Sequence, residues 1–178
     1  EYSVVAARHA HAITSGLTSA ELASFPCSYS TAENMLTRAN VKAGDTVLVT
    51  GASGGVGSAA LQLAKARGAE VYAVTSPAKQ TELKRLGADR VLDRGASLVE
   101  MLGANSVDVV IDLVAGSGWA DLLDILRRHG RYAVAGAVAG PIVLLDIRTL
   151  YLKDLSFFGC TALDSGVFAN LVTLIETG

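Results

Sequence analysis

The segment Thr50-Gly-Ala-Ser-Gly-Gly-Val-Gly57 is the part of the sequence whose residue types and spacing most clearly indicate chemistry. Glycines at positions 54 and 55 would let a phosphate come close to the main chain, because they have no β-carbon. The first turn of a following helix would present free amides and a partial positive charge to that anion. We therefore predict a pyrophosphate-binding turn formed by Ala52, Gly54, Gly55, Val56 and Gly57. The alternative is a flexible loop that only joins two elements.

The residues on either side of this turn predict the two elements that the mechanism requires. Thr46–Thr50 is a short β-branched run, typical of a buried strand. Residues 56–67 are rich in alanine and leucine and predict a helix, with Gly68 as its C-terminal cap. Gly57 would let that helix pack tightly on the strand. The turn thus has the context of a dinucleotide-binding loop.

The end of the next predicted strand, Glu70–Thr75, bears on which dinucleotide would bind. Sites for NAD usually place an acidic residue there, roughly 20 residues after the glycines, to bind the ribose 2′-hydroxyl. Here Ser76 and Lys79 follow the strand, and Arg94 follows the third strand. Hydroxyl and cationic groups would attract a 2′-phosphate, so the sequence favours NADP(H) over NAD(H). The alternative is that Lys79 and Arg94 are merely exposed helix and turn residues.

The remaining sequence alternates between strand and helix patterns. Further strands are predicted at Arg90–Asp93, Val107–Asp112, Arg131–Ala135 and Leu155–Gly159, and helices over 77–87, 97–102, 118–129 and 167–176. Such alternation implies right-handed crossovers between parallel strands. The predicted fold class is α/β, a Rossmann-type doubly wound parallel sheet with helices on both faces. Asp108 and Asp112, on the fourth strand, are interpreted as structural rather than as an acid–base pair, and His129 is placed at a helix end.

The first part of the chain is less regular. Tyr2–Ala6 resembles a strand, and Thr18 with Glu21 forms a capping-box pattern that predicts a helix start. A helical stretch is predicted over 30–39. The change of character near Phe25 and Pro26 suggests a boundary at that point.

Composition excludes several classes of protein. The chain has 178 residues, of which 51% are hydrophobic and 18% charged, so a folded domain with a full core is expected rather than a disordered chain. The net charge is −2, and no clustered basic face indicates a nucleic-acid partner. The longest apolar run, Tyr132–Leu145, is interrupted and falls short of the ~20 residues needed to cross a bilayer. Two distant cysteines and no signal-peptide pattern at the first residues favour a cytoplasmic location.

The whole chain resembles the medium-chain dehydrogenase/reductase superfamily, especially its quinone-reductase and zinc-type alcohol dehydrogenase branches. The resemblance rests on motifs in order and at specific spacing. They are Phe25-Pro-Cys-Ser-Tyr-Ser-Thr31-Ala, Val41-Lys-Ala-Gly-Asp-Thr-Val-Leu-Val-Thr-Gly-Ala-Ser-Gly-Gly-Val-Gly57, Leu61-Gln-Leu-Ala-Lys-Ala-Arg-Gly68, Leu86-Gly-Ala-Asp89, Val107-Asp-Val-Val-Ile-Asp112 and His129-Gly-Arg-Tyr132.

The resemblance implies further site residues. Thr31 matches a position near the nicotinamide. Val114, Ala115, Gly136 and Ala137 match loops that line the nicotinamide ribose and carboxamide, and Phe158–Cys160 matches a loop near the same ring. It also implies that residues 1–24 lead out of a missing N-terminal, GroES-like catalytic domain. Residues 25–178 would then form the dinucleotide-binding domain, truncated at its C-terminus.

Cys27 matches the third ligand of the catalytic zinc in zinc-dependent members. The other ligands would lie outside this chain, and many zinc-free relatives also keep a cysteine here, so zinc stays an open question. A small buried thiol is the alternative. His9 and His11 are interpreted as loop residues rather than ligands.

These expectations describe the cofactor-binding part of an oxidoreductase. Hydride would pass between NADPH and a quinone, an enone or enoyl compound, or an alcohol or carbonyl substrate, all small molecules. A non-catalytic NADPH-binding or structural member of the same family is the alternative. The short-chain dehydrogenase class is less favoured, since no tyrosine stands four residues before a lysine. No general acid or base is assigned. A homodimer is expected, for which the segment Leu150–Phe158 is the candidate edge; the alternative is that this segment forms an internal strand.

Overall fold

Residues 2–177 are described by the structure, a computed structural model. The strand predicted over Tyr2–Ala6 is wrong. This stretch is exposed and pairs with no strand, and a single turn of 3₁₀ helix, Ala7–His9, follows it. A strand needs a neighbour to satisfy its main-chain hydrogen bonds, and within the described residues none runs beside this segment.

The first long helix, α1, spans Ser19–Arg38 and begins with the predicted capping box. The Thr18 side chain accepts a hydrogen bond from the Glu21 amide, and the Glu21 carboxylate accepts one from the Thr18 amide at 2.8 Å. The helix runs without a break through Pro26, so the boundary expected between residues 24 and 25 falls inside it. Buried residues are confined to its second half, which packs on the next helix.

Six parallel strands form one sheet in the order β3-β2-β1-β4-β5-β6. The strands are β1 (Thr46–Val49), β2 (Glu70–Thr75), β3 (Arg90–Asp93), β4 (Val107–Asp112), β5 (Leu126–Val134) and β6 (Ser156–Gly159). The helices are α2 (Gly55–Ala66), α3 (Gln80–Arg85), α4 (Leu98–Leu102), α5 (Trp119–Ile125), α6 (Ile147–Leu152) and α7 (Ser165–Thr177). The predicted fold class is confirmed.

Helices cover both faces of the sheet because side chains along each strand alternate between them. In β1, Val47 and Val49 belong to a core that includes residues of α1, α2, α3 and α7. Leu48 between them belongs to the opposite core, with residues of α4 and α5. Both cores consist mainly of fully buried aliphatic side chains, so the sheet is a rigid support for the loops at its ends.

The helix predicted to reach His129 is wrong, because α5 ends at Ile125 and β5 begins at Leu126. Lys153, which follows α6, explains the early end. Its Nζ donates hydrogen bonds to the carbonyl oxygens of Leu123, Asp124 and Leu126 at 2.8–3.0 Å, which takes up carbonyls that the helix would otherwise use. His129 has a positive φ of 62° and its amide donates to the Lys153 carbonyl.

Helix α6 was not predicted from the sequence. It begins at Ile147, and the carboxylate of its N-cap, Asp146, accepts a hydrogen bond from the Arg148 amide. No helix within residues 2–177 combines the length and apolar character required to span a membrane.

Candidate functional site

A cleft of about 830 Å³ opens at the carboxyl ends of the strands. It is formed by the loops that follow β1, β2, β3, β4 and β5, together with the start of α5. The cleft crosses the boundary between β1 and β4, where the strand order reverses direction. In doubly wound folds this reversal is where ligands bind, because the crossovers on its two sides leave in opposite directions.

The glycine-rich turn forms one wall of the cleft. Helix α2 starts at Gly55, and its N-cap, Gly54, has no side chain to accept from the first amides. Those amides have no partner inside the helix, so they are free to bind an anion. A β-carbon on Gly57 would lie 2.7 Å from the Ala52 Cα and would also strike the Gly51 carbonyl oxygen. Gly57 was predicted to let the helix pack tightly on the strand, and in the structure it permits close approach to Gly51 and Ala52, just after β1.

Gly54 and Gly55 differ in what surrounds them. A β-carbon on Gly54 would meet only the Gly51 carbonyl oxygen, at 3.4 Å, so the space beside Gly54 belongs to the cleft. A β-carbon on Gly55 would lie 2.6 Å from the Ser28 Oγ of α1. Helix α1 thus presses on the turn from behind and helps to fix it.

The far end of the cleft, beyond β2 and β3, is polar and cationic. Ser76 and Arg94 both line it, and the Arg94 amide donates to the Thr75 carbonyl at 2.9 Å. The Thr75 hydroxyl is 3.1 Å from the Ser53 hydroxyl in the glycine-rich turn. Within the described part of the chain, the Arg94 side chain has no ion-pair partner. Its guanidinium is therefore available to a ligand.

Other residues proposed from the sequence lie outside the cleft lining. The exposed Lys79 binds Glu82 at 3.3 Å. Ala52 is fully buried beneath the turn, and Ala137 is exposed on the loop after β5. Thr31 lies on α1, where its hydroxyl donates to the Cys27 carbonyl at 2.8 Å.

The structure brings most of the predicted site residues together. Those that line the cleft are Gly54, Gly55, Val56, Gly57, Ser76, Arg94, Val114, Ala115 and Gly136. Sequence reasoning missed other lining residues, among them Thr50, Leu113, Ser117, Asp121 and Ala139. Thr50 and Leu113 immediately follow strands, so their position in the sequence was a usable signal. Asp121 comes from α5, whose orientation no local pattern reveals.

A buried carboxylate lies under the loop after β4. Asp112 is fully buried and accepts hydrogen bonds from the Thr50 hydroxyl and the Tyr132 hydroxyl, each at 2.5 Å. It also accepts from the amides of Val114, at 2.9 Å, and Ala115, at 3.1 Å. Burial, and then the hydrogen bond to Asp112, raises the pKa of Tyr132 far above its usual range, so this phenol stays a donor.

Zinc does not fit a site made of these residues alone. No three histidine, cysteine, aspartate or glutamate side chains come together as a metal site in residues 2–177. Cys27 is exposed on α1 rather than buried as the alternative interpretation expected.

The fold and the cleft define a Rossmann-type α/β domain. Residues 55–177 match the family model described as zinc-binding dehydrogenase. The chain belongs to this family, within the medium-chain dehydrogenase/reductase superfamily. This membership also sets aside the short-chain dehydrogenase interpretation.

Three relatives illustrate the family. A putative alcohol dehydrogenase from Sinorhizobium meliloti 1021 has 50% identity and a TM-score of 0.90, over 96% of this chain and 49% of that one. Acryloyl-coenzyme A reductase from Metallosphaera sedula is 40% identical over 136 residues, which are 75% of this chain and 40% of the relative. The 2-octenoyl-CoA carboxylase reductase CinF, solved with NADP and 2-octenoyl-CoA, has 28% identity and a TM-score of 0.81, over 91% of this chain and 42% of that one. The chain thus spans half or less of each relative's length.

Proposed function

We propose that this chain is the NADP(H)-binding part of an oxidoreductase that reduces a small α,β-unsaturated carbonyl compound, such as an enoyl thioester. The observation that carries the proposal is the cleft at the β1/β4 reversal, with an uncapped helix start at Gly55 and close packing at Gly57. A diphosphate at this turn would accept hydrogen bonds from the first amides of α2. The bound nicotinamide would supply the hydride chemistry.

The preference for NADP(H) is supported by the far end of the cleft. Ser76 and Arg94 line it, and no carboxylate follows β2 directly to bind a ribose 2′-hydroxyl. An arginine can pair with a phosphate through two hydrogen bonds, which suits a 2′-phosphate. Lys79 was expected to share this role, but its ion pair with Glu82 makes it the weaker candidate.

Mutation of the two cations separates their roles. Arg94→Gln should weaken NADPH binding and leave NADH binding unchanged, because only NADPH carries the 2′-phosphate. Hydrogen bonds to charged groups contribute about 1.5–3 kcal/mol, which corresponds to roughly 10- to 150-fold in Kd. Lys79→Gln serves as the matched control and should change neither Kd. Calorimetric titration with both dinucleotides measures this, and equal affinities of the unmodified protein for them would contradict the preference.

The substrate class is supported by the relatives. One reduces an acryloyl thioester by name, and another was solved with an enoyl thioester beside NADP. The putative alcohol dehydrogenase supports the second candidate, oxidation of an alcohol or reduction of a carbonyl. Because the chain spans half or less of these relatives, we propose that substrate binding requires a further domain. Residues 2–18 would lead from it into α1.

An activity screen of the longer protein tests this assignment. NADPH consumption should be measured with an enoyl-CoA, an enal, a quinone and a simple aldehyde. The enoyl-CoA should be the best substrate. Tight NADPH binding without oxidation by any of the four would instead favour the non-catalytic alternative.

We further propose that the protein is a homodimer that pairs at β6. This strand is one edge of the described sheet, and the segment before it exposes large apolar side chains. They include Ile142, Leu144, Tyr151 and Leu152. A second copy would cover these side chains and extend the sheet. Leu152→Asp should halve the mass measured by light scattering, and an unchanged mass would argue against this edge.

A further inference from the structure

The loop after β4 has a backbone that needs outside support. Ala115 has a φ of 52° and ψ of −139°, a conformation in which L-residues are rarely found. Gly116 follows with a φ of 73°, and a β-carbon there would lie 2.7 Å from the Ala139 Cβ. Such a backbone persists only where the surrounding structure holds it in place. Leu113, Val114 and Ala115 line the cleft, so the support also shapes the site.

Asp112 provides this support from below. Its carboxylate accepts from two consecutive loop amides, those of Val114 and Ala115. The Thr50 hydroxyl adds a link, since it donates to Asp112 and accepts from the Leu113 amide at 2.9 Å. Three consecutive amides of the loop are therefore held, directly or through one hydroxyl, by a single buried carboxylate.

The same carboxylate ties together three neighbouring strands. Asp112 ends β4, Thr50 follows β1, and Tyr132 lies in β5. A buried carboxylate is tolerated only when its acceptor sites are filled by donors, and here two hydroxyls and two amides fill them. Asp112 itself belongs to the cleft lining, but its oxygens are engaged by these donors, so it is suited to holding the loop main chain in place.

The location of this support identifies which half of a bound dinucleotide it would affect. Each half of a doubly wound sheet holds one nucleotide. Arg94 and Ser76 lie beyond β2 and β3, the half that the proposed function assigns to the adenosine 2′-phosphate. The loops after β4 and β5 are then left for the nicotinamide nucleotide.

We propose that Asp112 is a positioning residue for the nicotinamide end of the cofactor, acting through the main chain of residues 113–115. This inference rests on the proposed cofactor function. The adenine end, held by other loops, should not depend on it. Loss of the Asp112 network should therefore affect the whole dinucleotide but not a ligand that contains only its adenine half.

The experiment compares two ligands and four forms of the protein. NADPH is the whole dinucleotide, and adenosine 2′,5′-bisphosphate represents the adenine half. Calorimetry gives Kd for both on the unmodified protein, Asp112→Asn, Tyr132→Phe and Asp108→Asn. The last is a matched control. Asp108 is also on β4 but accepts from the Thr46 amide and pairs with Arg127, away from the cleft lining. Fluorescence of bound NADPH reports on the surroundings of the nicotinamide ring.

In Asp112→Asn, an NH2 group replaces one carboxylate oxygen. This group is a donor, and it would face the other donors that the carboxylate oxygen had accepted from. We expect NADPH binding to weaken at least tenfold and the fluorescence at saturation to change, while the bisphosphate Kd stays within twofold. Tyr132→Phe keeps the carboxylate and removes one donor, so a smaller change in the same direction is expected. If Asp112→Asn does not fold, Tyr132→Phe still provides the test. Asp108→Asn should match the unmodified protein.

Three results would overturn the positioning role. The first is that NADPH binding and fluorescence are unchanged in Asp112→Asn and Tyr132→Phe. The second is that these variants lose affinity for the bisphosphate as much as for NADPH. The third is that Asp108→Asn weakens NADPH binding as much as Asp112→Asn does. All three presuppose that the unmodified protein binds NADPH. If the unmodified protein binds neither NADPH nor the bisphosphate, the proposed function is overturned, and the role of Asp112 with it.

Discussion

Replacing Gly57 with alanine tests the geometry of the glycine-rich turn most directly. The new β-carbon would lie 2.7 Å from the Ala52 Cα and 2.9 Å from the Gly51 carbonyl carbon. Non-bonded carbons prefer separations of about 3.5–4.0 Å. The first turn of α2 would therefore have to move away by about 1 Å, since both neighbours are main-chain atoms that cannot rotate aside.

Two effects on stability partly cancel. Overpacking of this kind costs about 1–3 kcal/mol, whereas alanine stabilises a helix by about 0.5–1 kcal/mol relative to glycine. We expect a net loss of about 1 kcal/mol, which corresponds to a decrease in Tm of about 2–4 °C for a chain of this size. The effect on binding should be larger. Displacement of the free amides would weaken at least one charge-assisted hydrogen bond to the diphosphate. The Kd for NADPH should therefore rise by roughly 10- to 150-fold.

Two other glycines serve as controls for the Gly57→Ala variant. Gly54→Ala introduces no clash, because the nearest atom lies at 3.4 Å, but it fills space in the cleft. It should weaken NADPH binding without lowering Tm. Gly16→Ala meets no atom within 4 Å and lies outside the cleft lining, so it should change neither. Thermal unfolding and calorimetric titration measure both quantities, and normal NADPH binding by Gly57→Ala and Gly54→Ala would refute the assigned turn.

Three further predictions concern other parts of the fold. Lys153→Met should lower the free energy of unfolding by about 1–3 kcal/mol, measured in urea, because three carbonyls at the end of α5 lose their donor. At Asp89, burial raises the pKa, but hydrogen bonds from Lys65 and the Val71 amide outweigh it and the net pKa is lowered. Asp89 should thus stabilise the fold above its unfolded pKa and lose that effect as pH falls further, so Asp89→Asn should flatten the acid limb of a stability–pH curve. Burial raises the pKa of Cys160, whereas Cys27 is exposed, so iodoacetamide at pH 8 should label Cys27 first, as peptide mass mapping would show.

The sequence was most informative where short local patterns coincide with buried strands. The bounds predicted for β2, β3 and β4 match those in the structure, since most apolar residues of each strand are consecutive in the sequence. The N-terminal capping box of α1 was also readable, because its hydrogen bonds join residues three positions apart. The glycine-rich turn could also be placed, because its glycines lie within a few residues of one another in the sequence.

Elements that depend on distant partners were not predictable in this way. The end of α5 is set by Lys153, 28 positions after Ile125 on the chain, and the strand expected at Tyr2–Ala6 lacks a neighbour among the described residues. Lys79 and Arg94 looked equivalent in the sequence, yet the fold leaves Arg94 at the cleft and Lys79 beside Glu82.

By itself, the sequence determined the alternation of strands and helices and the position of the turn that could hold a diphosphate. Hydrophobic periodicity and glycine spacing act over a few residues and can be read directly. Only the tertiary structure decided which of the loops meet in one cleft and that Asp112 lies beneath the loop after β4. That arrangement requires the hydroxyls of Thr50 and Tyr132 to reach it from two other strands, and the sequence carries no local sign of such contacts.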